Sequence, residues 1–110
     1  MSEVQVTNTL TGGKKGSKAE RFDLLPWDFI SEMARLYGKG AEKYDERNWE
    51  KGYDVSLSFA ALQRHLTLWW AGENLDSETG MSHLASVAFH AAAMYRFTQG
   101  AYPAELDNRP

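Results

Sequence analysis

Residues 64–90, RHLTLWWAGENLDSETGMSHLASVAFH, read as the end of one helix, a short acidic turn and the start of another helix. Leu66, Trp69 and Trp70 continue an apolar helical spacing that begins at Phe59 and Leu62, and Gly72 stops it. A second periodic run starts after Thr79-Gly80 and continues to about Thr98. All three histidines of the chain, His65, His83 and His90, fall in this stretch, and the turn between the helices carries Glu73, Asp76 and Glu78. Imidazole and carboxylate donors therefore meet at one helix-helix corner. That corner is the candidate site.

The helix after the corner is apolar nearly all round, with Met81, Leu84, Ala85, Ala88 and Ala92 on one side and Val87, Met94 and Phe97 on another. A helix of that kind is central in its fold or shared with a partner subunit, so a homodimer or homotetramer is expected. The helix before the corner starts with Asp54 or Ser56 as its N-cap. Further upstream, Pro26 stands near the first turn of another helix, whose buried stripe is Phe29, Ile30, Met33, Leu36 and Tyr37. Gly38 and Gly40 are expected to weaken or end it, leaving a separate short turn at Ala41-Glu42-Lys43-Tyr44. Three main helices with short connections predict an all-α bundle. Residues 1–20 are expected to be an extended, basic, Gly-rich arm, in which the alternation of Val4, Val6, Thr7 and Thr9 suits a strand or an extended segment; residues 21–99 are the helical domain, and residues 100–110 a tail that packs as a loop or frays.

A chain of 110 residues, 43% hydrophobic and 25% charged, has the composition of one globular domain. It has no run near the roughly 18 apolar residues that a membrane span needs, and its first residues lack a signal-peptide layout. A cytoplasmic location is expected. Without cysteine there is no thiolate metal site and no cysteine nucleophile. The net charge of −3 argues against a nucleic-acid duplex as partner. Local charge differs: Lys14, Lys15, Lys18 and Arg21 crowd a segment that also holds Gly12, Gly13 and Gly16. That segment is either a solvated linker or an arm that orders over a bound nucleotide.

At the corner, His83 and His90 are two helical turns apart, roughly 10 Å along the axis, too far to share one metal ion. The spacing suits one histidine at the mouth of a site and one deeper in. His83 opens its helix just after Glu78, where anions are electrostatically welcome. His90 reads first as a hydrogen-bonded core residue. Glu73, Asp76 and Glu78 are either a solvated acidic turn or a set whose mutual repulsion a divalent cation relieves; oxygen ligands suit Mg²⁺ or Mn²⁺. Beside it, the loop Lys43-Tyr-Asp-Glu-Arg47-Asn48-Trp49 either offers forked donors for phosphate and aromatic rings for a base, or is a Trp49 that caps the core with exposed charges alongside. With no Gly-Lys-Ser/Thr phosphate loop and no Ser/His/Asp set, metal-assisted attack by water is the chemistry these residues can support.

RFDLLP from Arg21, YGKGAEKYDERNWEKG from Tyr37 and LQRHLTLWWAGENLDSETGMSHLASVAFH from Leu62 together resemble the phage dATP/dGTP diphosphohydrolase N-terminal domain family, over residues 14–97. That family is similar to the all-α, MazG-like nucleoside-triphosphate pyrophosphatases, which are helical, oligomeric and Mg²⁺-dependent. The resemblance implies hydrolysis of dATP or dGTP to monophosphate and pyrophosphate. It implies that Glu73, Asp76, Glu78 and His83 sit near the metal, Glu78 and His83 as catalytic groups. Lys18, Arg21, Lys43, Arg47, Asn48, Trp49, Arg64 and His65 would contact the nucleotide. One departure stands out: the MazG-like enzymes carry E-x-x-E on one helix and E-x-x-D on the next, and neither pattern is intact here. The alternative is therefore a protein that binds and sequesters a nucleotide without cleaving it.

Overall fold

The computed structural model describes residues 3–110. Helices α1 (Trp27–Lys43), α2 (Val55–Trp70) and α3 (His83–Phe97) are the main elements of the fold, and α3 lies between the other two. The expected three-helix architecture is present, with one addition. Residues read as an extended arm form an antiparallel hairpin, β1 (Val4–Thr7) with β2 (Lys14–Ser17), in which Val4 faces Ser17 and Thr7 faces Lys14. Asn8 closes its loop: the side chain accepts the N–H groups of Leu10 and Thr11, and its carbonyl accepts that of Gly12.

The stripe Phe29, Ile30, Met33, Leu36 and Tyr37 is half-buried along α1, as its spacing predicts. The helix does not end at Gly38 or Gly40 but runs through both to Lys43, and the expected separate turn is its last turn. A glycine in a helix costs only about 1 kcal/mol relative to alanine. Packing of Leu36 and Tyr37 outweighs that, and the Tyr44 N–H closes the end on the Gly40 carbonyl.

On α2 the buried stripe is not the expected one. Val55, Ser58 and His65 are buried with Leu62 and Trp69 half-buried, while Phe59, Leu66 and Trp70 face outward. Polar residues can take the inner face because each has a partner there, which removes the cost of burying it. The apolar core is small: Val55, Ala93 and Phe97, covered by Trp49, Tyr53, Met94 and Tyr102.

The tail is docked rather than frayed. The Tyr102 hydroxyl donates to the Glu50 carbonyl at 2.6 Å. The Asn108 amide accepts the Ser56 N–H at 3.1 Å and donates to the Ser56 hydroxyl at 2.8 Å, so it supplies an N-terminal cap to α2 from 52 residues away. Gly52 makes this approach possible. Its φ is +92°, and a Cβ there would stand 2.8 Å from Leu106 Cδ1.

The outward stripe on α2 belongs to a larger excess of surface. The chain exposes 8293 Å², against about 6,100 Å² for a compact monomer of this mass. Its radius of gyration is 18.4 Å, against about 13 Å for a single domain of this length. Trp70 is 83% exposed and Phe59 53%. Among the described residues no helix is long and apolar enough to cross a membrane.

Candidate functional site

The turn between α2 and α3 is built to aim its side chains. Gly72 and Gly80 take φ of +105° and +73°, where other residues are strained. A single antiparallel bridge pairs Leu75 with Ser82, the Asp76 N–H donates to the Met81 carbonyl, and the His83 N–H donates to that of Asn74. The start of α3 is secured twice. The Ser82 hydroxyl accepts the Leu84 N–H, and the Glu32 carboxylate, paired with Arg35 at 2.8 Å, accepts the Ser82 N–H. Arg35 and that N–H hold the Glu32 carboxyl below its usual range.

These supports bring His83 against His65. Their Nδ1 atoms are 2.8 Å apart, and His83 Nε2 lies 2.6 Å from a Glu73 carboxylate oxygen. One proton arrangement satisfies every atom. The Glu73 carboxylate accepts from His83 Nε2–H, which leaves His83 Nδ1 to accept from His65 Nδ1–H. His65 Nε2 then accepts from the Arg64 guanidinium, at 3.4 Å. Burial first, and the Arg64 charge second, hold His65 below the ordinary imidazole range.

A second polar line lies alongside. The Tyr53 hydroxyl is 2.7 Å from that of Ser58, which is 2.9 Å from His90 Nδ1. His90 stacks on His65 at 6.0 Å. Burial, then the nearby His65 and Arg64, push its pKa down to about 4. His90 is hydrogen-bonded to Ser58, as its first reading has it. His83 is fully buried, whereas His90 lines an open cleft.

That cleft, about 1410 Å³, runs between the second half of α1, the loop at residues 44–50, the acidic turn and one side of α3. Lys43, Arg47, Asn48 and Trp49 line one wall, and His65, Asp76 and Glu78 line it from the other elements. Trp49 is also part of the core, edge-on to Tyr37 and Phe89, with the Arg96 guanidinium 5.0 Å from its ring. Arg47 is the only non-glycine described with positive φ (+60°), a conformation that costs an L-residue roughly 1–2 kcal/mol. It is ion-paired with Glu50 at 2.7 Å. Lys43 reaches Glu78 at 3.9 Å across the cleft.

Other expected residues lie elsewhere. Lys18 pairs with Glu3 on the hairpin and Arg21 with Asp23, and neither lines the cleft. Arg64 and Glu73 are not in its walls either; they act on the two histidines from behind. Of the expected metal set Glu73, Asp76, Glu78 and His83, only Asp76 and His83 converge. His65 joins them, one donor atom from each lying within 4.8 Å of the others. Tyr53, Ser58 and His90 escaped the sequence reading as a connected set, since spacing alone does not reveal a tyrosine before α2 bonding to a serine inside it.

Residues 9–107 match the family model described as dATP/dGTP diphosphohydrolase, N-terminal. A dATP/dGTP diphosphohydrolase of Salmonella phage PMBT28 is 31% identical over 101 residues, which is 92% of this chain and 32% of that protein. The chain thus spans about a third of the length of this relative. No solved structure matches.

Proposed function

Because the chain belongs to the dATP/dGTP diphosphohydrolase N-terminal family, we propose that its cleft binds dATP or dGTP and hydrolyses it to monophosphate and pyrophosphate. The observation that carries this reading is the placement of Lys43, Arg47 and Asn48 opposite Asp76 and Glu78 around one cleft. Cationic and amide donors on one wall suit a triphosphate, and carboxylates on the other suit the cation that accompanies it. Asp76 and Glu78 are the residues that would hold Mg²⁺ or Mn²⁺, which when bound supplies charge neutralisation and a water of lowered pKa. The Glu78 carboxylate takes the proton of the attacking water. Lys43 and Arg47 balance the charge of the departing pyrophosphate. Buried His83 does not meet substrate; with Glu73 it holds His65 in one orientation at the cleft wall. His90, kept neutral, presents a hydrogen-bonding imidazole to the ligand.

The surplus surface supports an assembly of two or four copies. The stripe Phe59, Leu66 and Trp70 offers the apolar centre that such an interface needs. A second reading, capture of the nucleotide without cleavage, is favoured by one observation. A single carboxylate, Asp76, joins the buried donor group, whereas Glu73 is bonded to His83 and Glu78 is paired with Lys43.

Chromatography of deoxy- and ribonucleoside triphosphates incubated with the protein and Mg²⁺ or Mn²⁺ separates the two. Hydrolysis gives monophosphate plus pyrophosphate from dATP or dGTP, and Glu78→Gln lowers the rate at least 100-fold with the circular dichroism unchanged. Intact nucleotide recovered from a tight complex would establish capture instead. A wild-type rate in Glu78→Gln removes the role given to that carboxylate.

A further inference from the structure

The ion that the family resemblance implies is Mg²⁺, a hard cation that prefers oxygen. The donor group at the back of the cleft is of another kind: two imidazoles and one carboxylate, from His65, His83 and Asp76. Imidazole nitrogens favour the later transition ions, Co²⁺, Ni²⁺, Cu²⁺ or Zn²⁺, over Mg²⁺.

We infer that His65, Asp76 and His83 form a centre for a transition-metal ion of the Zn²⁺ or Co²⁺ class, set behind the cleft rim, with Glu73 as its positioning residue. Three features carry this. First, His65 Nδ1 and His83 Nδ1 face each other at 2.8 Å with a single proton between them. Two nitrogens bound to one ion at about 2.0–2.1 Å stand roughly 3.0–3.4 Å apart, so the pair needs to open by only a few tenths of an ångström. The proton leaves His65 Nδ1, and His65 carries its N–H on Nε2 instead. Arg64, whose side chain is exposed, moves away from that nitrogen.

Second, Glu73 binds His83 Nε2 at 2.6 Å and so directs the Nδ1 lone pair toward His65. A carboxylate on the far nitrogen of a ligating histidine is the recurrent outer partner in metal sites. This gives Glu73 a function although it lies outside the cleft walls. Third, Asp76 is held by the tight turn, its backbone N–H on the Met81 carbonyl and its carboxylate on Thr79. Both it and His65 open onto the cleft. An ion therefore has a way in, and positions are left for water or a phosphate oxygen.

The inference rests on the nucleotide reading only for what meets the open face of the ion. Asp76 belongs to both cation sets, whereas His65 belongs to the inner one and Glu78 to the rim. The two can therefore be tested apart.

The experiment is titration of the chelator-treated protein with Co²⁺, followed by its visible d–d absorption and by calorimetry. One Co²⁺ per chain is expected, displaced by Zn²⁺ and not by millimolar Mg²⁺. His65→Gln, His83→Gln and Asp76→Asn each weaken binding at least 100-fold, and Glu73→Gln weakens it about 10- to 100-fold. Circular dichroism is recorded for each; Asp76→Asn, on the partly exposed turn, keeps the test valid should a buried histidine variant unfold. No stoichiometric Co²⁺, or wild-type affinity in folded His65→Gln or Asp76→Asn, overturns the centre. Mg²⁺-supported hydrolysis by wild-type protein that takes up no Co²⁺ overturns the centre and leaves the nucleotide reading standing. Stoichiometric Co²⁺ with no hydrolysis of any nucleotide sinks that reading and keeps the centre.

Discussion

Lowering the pH tests the buried imidazole line most directly. His90 packs between Phe89, 5.0 Å away and edge-on, and His65, with Ser58 on its Nδ1. Its pKa falls from 6.5 in the unfolded chain to about 4 in the fold, because burial penalises the charged ring. The unfolded state therefore binds the proton more readily between these values. Stability is complete above about pH 6.5 and is lost as pH falls toward 4. A shift of that size corresponds to about 2.5 kcal/mol between pH 7.5 and 4.5. His90 borders an open cleft, and solvent screening reduces the expected effect to about 1–1.5 kcal/mol. His65, displaced in the same direction, adds to the trend. Urea unfolding at half-unit steps from pH 4.5 to 7.5 measures the slope in the wild type and in His90→Gln, which keeps a group for Ser58 but does not titrate. The variant is expected to lose about 1 kcal/mol less across the window. Parallel curves would falsify the assignment of the acid sensitivity to His90.

Arg47→Gly relieves the left-handed backbone at +60° but loses the Glu50 ion pair and a cation of the cleft. The variant is expected to unfold within about 1 kcal/mol of wild type, or slightly higher, while nucleotide affinity in calorimetry falls roughly tenfold, about 1.4 kcal/mol; unchanged affinity would remove Arg47 from the binding wall. Phe59→Lys with Trp70→Glu places charge on the outward stripe of α2. Light scattering should then shift from a multiple of 12.4 kDa to that mass, with the helical signal retained, and an unchanged mass excludes this stripe as the interface.

Helix existence was legible because it follows from local spacing: Phe29 to Tyr37 on α1 and Met81 to Phe97 before and along α3 repeat at the helical period. The inner face of α2 was not. Phe59, Leu66 and Trp70 fit an apolar stripe as well as Val55, Leu62 and Trp69 do, and the choice was decided by Ser58 and His65. Those two turn inward because Tyr53, His90 and His83, distant in sequence, complete their hydrogen bonds. The end of α1 lies beyond its expected place for another reason. A glycine signals a break only where its modest cost is not offset by the rest of the helix, and here α1 continues through Gly38 and Gly40 to Lys43. Docking of the tail was equally hidden, since it rests on Asn108 meeting Ser56 and on the missing Cβ of Gly52. At the site, the donor types and their gathering at one corner were readable from the chain. Which carboxylate faces a histidine and which faces the cleft depended on the turn geometry.

The contact between Lys43 and Glu78 gives the cleft a thermodynamic property beyond its shape. In the resting protein each charge neutralises the other across the opening. A triphosphate that takes Lys43 frees the Glu78 carboxylate for a cation, and a cation that takes Glu78 frees Lys43 for phosphate. The two ligands thus each remove a competitor that the other would have to displace, and by reciprocity the coupling is the same in either order of addition. Both partners are well exposed, so the link amounts to no more than about fivefold in affinity. Under the proposed function the link is nevertheless positive, and it would make the free nucleotide and the free cation poorer ligands than their complex.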